Sequence, residues 1–137
     1  MIIPLIKGLK LTLARFFSRP VTIQYPEERR PISPRWRGIH FFEKGEKGDT
    51  ACVACGLCVA VCPSHCIELV IAEREDGSRY PERYEINTLR CIFCGFCQEA
   101  CPVNAIKLGG DYEFVKYRRE DFLLSKEKLL TRGEGGR

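Results

Sequence analysis

One cysteine pattern is written twice in this chain. Cys52, Cys55, Cys58 and Cys62-Pro63 have the spacing C-x2-C-x2-C-x3-C-P, and Cys91, Cys94, Cys97 and Cys101-Pro102 repeat it. Three thiols spaced three residues apart on a short loop, with Gly56 or Gly95 between the second and third, can converge on three irons of one cubane. The fourth iron then needs a ligand from elsewhere. Placing the two copies in register also matches Gly56 with Gly95, Pro63 with Pro102, Ile67 with Ile106 and Leu69 with Leu108. This internal repeat implies two halves related by a pseudo-twofold axis.

The spacing is that of bacterial [4Fe–4S] ferredoxins, in which the last Cys of each loop ligates the other loop's cluster. It predicts two [4Fe–4S] clusters, one held by Cys52, Cys55, Cys58 and Cys101 and the second by Cys91, Cys94, Cys97 and Cys62. Zinc sites usually come as separated C-x2-C pairs, often with His, and lack the unbroken run and the trailing Cys-Pro. A disulfide framework needs an oxidising compartment, and cysteines this close cannot all pair with good geometry. No motif position is replaced by Asp, which argues against a three-iron cluster. The ninth cysteine, Cys66, aligns with Ala105 and is expected to be a small buried residue beside a cluster, since no ligand position is vacant.

The rest of the composition excludes several classes. With 45% apolar and 29% charged residues the chain is globular rather than disordered throughout. A net charge of +4 is mild, and the basic residues are scattered without an aromatic stacking motif, so no nucleic acid is expected as a partner. No apolar run approaches the length needed to cross a bilayer. No Gly-rich nucleotide fingerprint or recognisable catalytic acid, base or nucleophile stands out, so no small-molecule substrate and no catalytic residue is assigned.

Residues 2–17 read as an amphipathic helix, because Leu5, Ile6, Leu9, Leu13, Phe16 and Phe17 share one face while Lys7, Lys10 and Arg15 lie towards the other. Residues 1–19 are therefore expected to dock on a membrane interface or in a partner's groove, the alternative being packing on the chain's own domain. No secretory signal pattern is present there, since Lys7 and Lys10 interrupt the apolar residues. Residues 20–48 carry Pro20, Pro26, Pro31 and Pro34 and read as an extended arm, with Arg35-Trp36-Arg37 as an interface anchor or a cap on the core. A cluster domain of α+β class is expected over 49–110, with short helices at 56–61 and 95–100 and an inserted hairpin at about 67–88. The Asp76-Gly77-Ser78 turn supports that hairpin, and Pro81 places its second strand at an edge. Residues 111–137 hold too many apolar side chains for a free tail and are expected to cover the core or a partner, with a disordered end from Gly133. His40 and His65 are expected to be loop residues rather than ligands. The alternative for His65, which lies between Cys62 and Cys66, is a hydrogen bond to a cluster.

Beyond the cysteines, Val21-Thr22-Ile23-Gln24-Tyr25-Pro26-Glu27-Glu28, Ser33-Pro34-Arg35-Trp36-Arg37-Gly38, Cys52-Val53-Ala54-Cys55, Ile86-Asn87 with Arg90-Cys91-Ile92-Phe93-Cys94-Gly95-Phe96-Cys97, and Tyr117-Arg118-Arg119-Glu120-Asp121 with Lys126-Glu127-Lys128-Leu129-Leu130 carry a resemblance across nearly the whole chain. It resembles subunit I of the proton-translocating NADH:quinone oxidoreductases, respiratory complex I. The departures are Ser64-His65 after the first Cys-Pro and a short tail, and neither touches a ligand. The resemblance implies a non-catalytic electron relay from the NADH-oxidising arm towards the terminal cluster and quinone. It further implies partners that include the terminal-cluster subunit and a quinone-site membrane subunit, and a peripheral place on the cytoplasmic face of the bacterial cell membrane. The equivalent subunit of a membrane-bound hydrogenase or ferredoxin-dependent complex is the alternative. A freely diffusing two-cluster ferredoxin is disfavoured by the basic charge and long apolar flanks.

Overall fold

The computed structural model describes residues 2–45 and 49–135, without the side chains of 134 and 135. The chain divides into two compact units, Met1–Pro31 and Ile32–Arg137. In the first, helix α1 (Ile2–Phe16) carries the expected amphipathic pattern and buries none of its residues. Leu5, Leu9 and Phe16 are 72%, 68% and 81% exposed. Among the described residues no helix is long and apolar enough to cross a membrane. After α1 the backbone closes into local turns, with the Glu28 amide donating to the Gln24 carbonyl at 2.7 Å.

The second unit is α+β. Strands β1 (His40–Phe42) and β4 (Ile106–Leu108) form an antiparallel pair, with His40 opposite Leu108 and Phe42 opposite Ile106. Strands β2 (Ile67–Glu73), β3 (Arg79–Asn87) and β5 (Leu123–Ser125) form a second antiparallel sheet in the order β2-β3-β5. Helices α2 (Leu57–Ala60) and α3 (Phe96–Glu99) follow the two cysteine loops, and α4 (Lys126–Gly135) closes the chain. Phe42, Tyr84, Ile86, Ile106, Leu124 and Leu129, each 2% exposed or less, fill the space between the sheets and α4. Phe42 and Tyr84 meet edge to face with ring centroids 4.8 Å apart. Such a pair adds about 0.5–1.5 kcal/mol to the burial of its area.

Three expectations change, and one left open is decided. The arm over 20–48 is not extended throughout. Its last part enters the core as β1, because β4 is too short to stand without a partner and Phe42 supplies a large buried surface. Gly38 makes this approach possible, since a Cβ there would collide with the carbonyl oxygens of Asp111 and Gly109. The hairpin's second strand, β3, is central rather than at an edge. Pro81 is tolerated because β5 pairs only with Glu85 to Asn87, so the missing amide of Pro81 faces no second strand. The tail covers its own domain through buried Leu124 and Leu129, although Val115 and Tyr117 remain exposed. Its end is helical as far as Gly135, where disorder from Gly133 was expected. The absent side chain of Gly133 lets α4 press against the Phe42 carbonyl. Residues 136 and 137, and 46–48 of the loop entering the first motif, lie outside the described residues.

Candidate metal centres

The two cysteine loops share one backbone. Gly56 precedes α2 with φ 79° and ψ −5°, and Gly95 precedes α3 with φ 83° and ψ 0°. The helices end at Val61 (φ −82°) and Ala100 (φ −80°). Non-glycine residues in the left-handed region also fall at matched places: Ala54 with Phe93, and His65 with Asn104. A left-handed residue turns its own amide and its neighbours' amides inwards, so each loop becomes a concave set of N–H donors suited to negatively charged sulfur. The Ala54 amide donates to Cys52 Sγ at 3.4 Å, and the Phe93 amide donates to Cys91 Sγ at 3.3 Å. On the far side of the second loop the Ala105 amide donates to Cys101 Sγ at 3.2 Å.

The first pocket is bordered by Cys52, Cys55, Cys58 and Cys101, with Phe42, Leu69, Tyr84 and Ile106 as its apolar wall. The last cysteine of the second motif therefore stands with the first three of the first motif. At the second motif, the Cys66 thiol reaches both Cys62 and Cys91. All nine cysteines are free. Burial raises the Cys52 thiol to about 11 and the Cys97 thiol to about 12. Each must lose its proton on becoming an iron ligand, because only the thiolate binds. Among the described residues no three His, Cys, Asp or Glu side chains are gathered to hold a single metal ion. Four sulfurs that each bind a different corner of a cubane stand further apart than ligands of one zinc, whose Zn–S bonds are about 2.3 Å. The donor set, its spacing and the inward amides fit a cubane and not a mononuclear zinc.

Three side chains around the pockets escape the sequence pattern. Tyr84, reached through β3, donates its hydroxyl to Cys58 Sγ at 3.5 Å, and burial holds its own pKa well above the ordinary phenol value. His40 lies on β1, not in a loop, with Nε2 4.0 Å from Cys91 Sγ. Burial lowers its pKa to about 4, which keeps the imidazole neutral. Cys66 is buried as expected, with its sulfur 3.5 Å from Cys62 Sγ. Burial pushes the Cys66 thiol up to about 12, so it remains S–H at neutral pH. Burial alone would raise Cys62 too, but hydrogen bonds from Cys66 and Ser64 bring it below the ordinary thiol value. His65 is exposed and serves the turn through its left-handed backbone.

Beside the second loop runs a groove of about 980 Å³ bordered by Trp36, Arg37, Leu89, Phe93, Tyr112 and Phe122. Trp36 is 49% exposed there, at the rim of the groove rather than inside the core.

Two mirrored thiol loops on an α+β frame define a two-cluster iron–sulfur protein of ferredoxin type. The family model described as a 4Fe-4S dicluster domain matches residues 51–109. The chain is 52% identical over 132 residues to NADH-quinone oxidoreductase subunit I 2 of Geobacter metallireducens, covering 96% of this chain and 100% of that protein. It is also 52% identical over 132 residues to NADH-quinone oxidoreductase subunit I 1 of Geobacter sulfurreducens, with 96% and 99% covered. A solved archaeal respiratory membrane complex, the membrane-bound sulfane sulfur reductase, contains a chain that is 31% identical with a TM-score of 0.55. That match covers 81% of this chain and 56% of the archaeal one. The chain belongs to the NADH-quinone oxidoreductase subunit I family, carries two [4Fe–4S] clusters and is an electron-transfer subunit.

Proposed function

We propose that the chain is a fixed, non-catalytic relay in respiratory complex I, taking electrons that originate at the NADH-oxidising arm and delivering them towards the terminal cluster and quinone. When bound, the clusters supply two one-electron sites within a single small domain. The chain's residues hold the clusters, exclude water and fix their separation. Cys52, Cys55, Cys58 and Cys101 hold the first, and Cys91, Cys94, Cys97 and Cys62 the second. The observation that carries this reading is the presence of Cys101 in the pocket of the first motif, which ties the two halves across the pseudo-twofold axis.

The crossing is tested by paired EPR spectra. Cys62→Ser is expected to alter the same cluster signal as Cys94→Ser, while Cys55→Ser alters the other. If Cys62→Ser groups with Cys55→Ser, each motif serves its own cluster and the assignment is wrong. Chemical analysis is expected to find about eight irons per chain, and a value near four or bound zinc would sink the two-cluster reading.

Attachment is assigned to α1, whose apolar face is exposed along its length while Lys7, Lys10 and Arg15 offer positive charge to a membrane surface. The chain is peripheral, on the cytoplasmic face of the cell membrane, against a quinone-site membrane subunit. The subunit of the terminal cluster faces the groove at Trp36, where an exposed aromatic between two arginines suits an interface anchor. Deleting residues 1–17 is expected to leave the iron content intact and abolish assembly into the membrane complex. Normal incorporation of the shortened chain would rule out α1 as the anchor. The archaeal neighbour favours a second reading, the equivalent subunit of a related membrane complex with another electron donor. Assaying the purified complex with NADH and with reduced ferredoxin separates the two.

A further inference from the structure

We propose that Cys66 and His40 are positioning residues of the second cluster site: as hydrogen-bond donors to the sulfurs of Cys62 and Cys91, they raise the reduction potential of the cluster held there and make the two clusters inequivalent. The inference rests on the crossed ligand assignment above. Backbone donors are matched between the halves, with the Ala54 and Phe93 amides on Cys52 and Cys91, and the Cys66 and Ala105 amides on Cys62 and Cys101. Side-chain donors are not matched. Cys66 stands where the other half has Ala105, and its sulfur lies 3.5 Å from Cys62 Sγ and also reaches Cys91. A Cys62 that ligates iron is a thiolate and can only accept, so the proton in this contact is on Cys66.

His40 is 1% exposed, with Nε2 4.0 Å from Cys91 Sγ and with Nδ1 lacking a partner among the described residues. A neutral imidazole has one N–H. Placed on Nδ1 it would be a buried donor with no acceptor, whereas on Nε2 it faces sulfur, so the Nε2–H tautomer is selected. Among the described residues the first pocket has one corresponding side-chain donor, the Tyr84 hydroxyl on Cys58. A donor aimed at a cluster sulfur stabilises the more negative, reduced state and so raises the potential.

The test is an EPR-monitored redox titration of the assembled complex carrying Cys66→Ala, Cys66→Ser, His40→Leu or Tyr84→Phe, with iron counted in each. Cys66→Ala is expected to keep about eight irons and to lower the midpoint of the cluster identified by Cys94→Ser. A tenfold change in its oxidised-to-reduced ratio corresponds to about 59 mV for one electron. His40→Leu lowers the same midpoint, and Tyr84→Phe lowers only the other. Cys66→Ser retains a donor and stays near the parent value, which a role in packing alone does not predict. Midpoints unchanged in both Cys66→Ala and His40→Leu, or shifts confined to the first cluster, overturn the proposal. Loss of iron in Cys66→Ala overturns it by making Cys66 a ligand. Failure of the crossed assignment shows separately, as Cys62→Ser altering the signal that Cys55→Ser alters.

Discussion

The two halves of the cluster domain have nearly superposable loops and unlike surroundings. The first loop leads into a seven-residue strand and a hairpin that brings Tyr84 over its pocket, and Phe42 closes the wall. The second leads into a three-residue strand whose partner, β1, comes from before both motifs, and its flank is the open groove at Trp36. Loop geometry answers to the cluster and so repeats, whereas the cover answers only to the need for apolar contact and differs. The symmetry of this domain is kept in the cysteine loops and the first residues of the strands that follow them.

That contrast is open to attack by substitution, and the largest effect is expected in the wall of the first pocket. Phe42→Ala removes a fully buried ring that meets Tyr84 edge to face, at a cost of about 3–5 kcal/mol. Phe114→Ala, on the looser side, removes a half-buried ring in contact with Phe122 and is expected to cost clearly less. Thermal loss of visible absorbance from the cluster-loaded chain measures both, and equal losses would erase the difference in cover.

A smaller effect separates the matched glycines. Gly56→Ala and Gly95→Ala each force a side chain into the left-handed region, at a cost of about 1–2 kcal/mol. A Cβ at Gly56 meets open space, while one at Gly95 comes within 2.8 Å of Arg37 Nε. Gly95→Ala is therefore expected to be the more damaging by a few tenths of a kcal/mol, as far as the exposed Arg37 side chain must move. Should Gly56→Ala lower the melting midpoint as much or more, the surroundings do not bear on the loops at all.

The smallest effect belongs to the ion pair over the second loop. Arg37 and Glu99 meet at 3.1 Å with side chains 50% and 61% exposed. Glu99→Gln is expected to change stability by less than about 1 kcal/mol, and by less still in high salt. A larger loss in the same melting assay would show that this contact clamps the second loop.

Cysteine spacing, the paired glycines and the Cys-Pro steps made the ligand loops, the pseudo-twofold repeat and the short helices legible in the sequence, because each is a local rule of backbone geometry repeated twice. The amphipathic α1 was legible for the same reason, since a helical period is written in neighbouring residues. What decided the rest was pairing between distant segments. Nothing local marks His40–Phe42 as a strand, since its pairing partner lies at Ile106–Leu108, nor does composition reveal that Gly133 serves a close helix–strand contact. Pro81 was misread because strand rank depends on where β5 stops, a matter settled by the tail. His40 and Cys66 carry no motif of their own. Their nearness to sulfur arises only when β1 and the crossed loops fold together, because tertiary contacts are set by which apolar surfaces are left to bury and not by spacing along the chain.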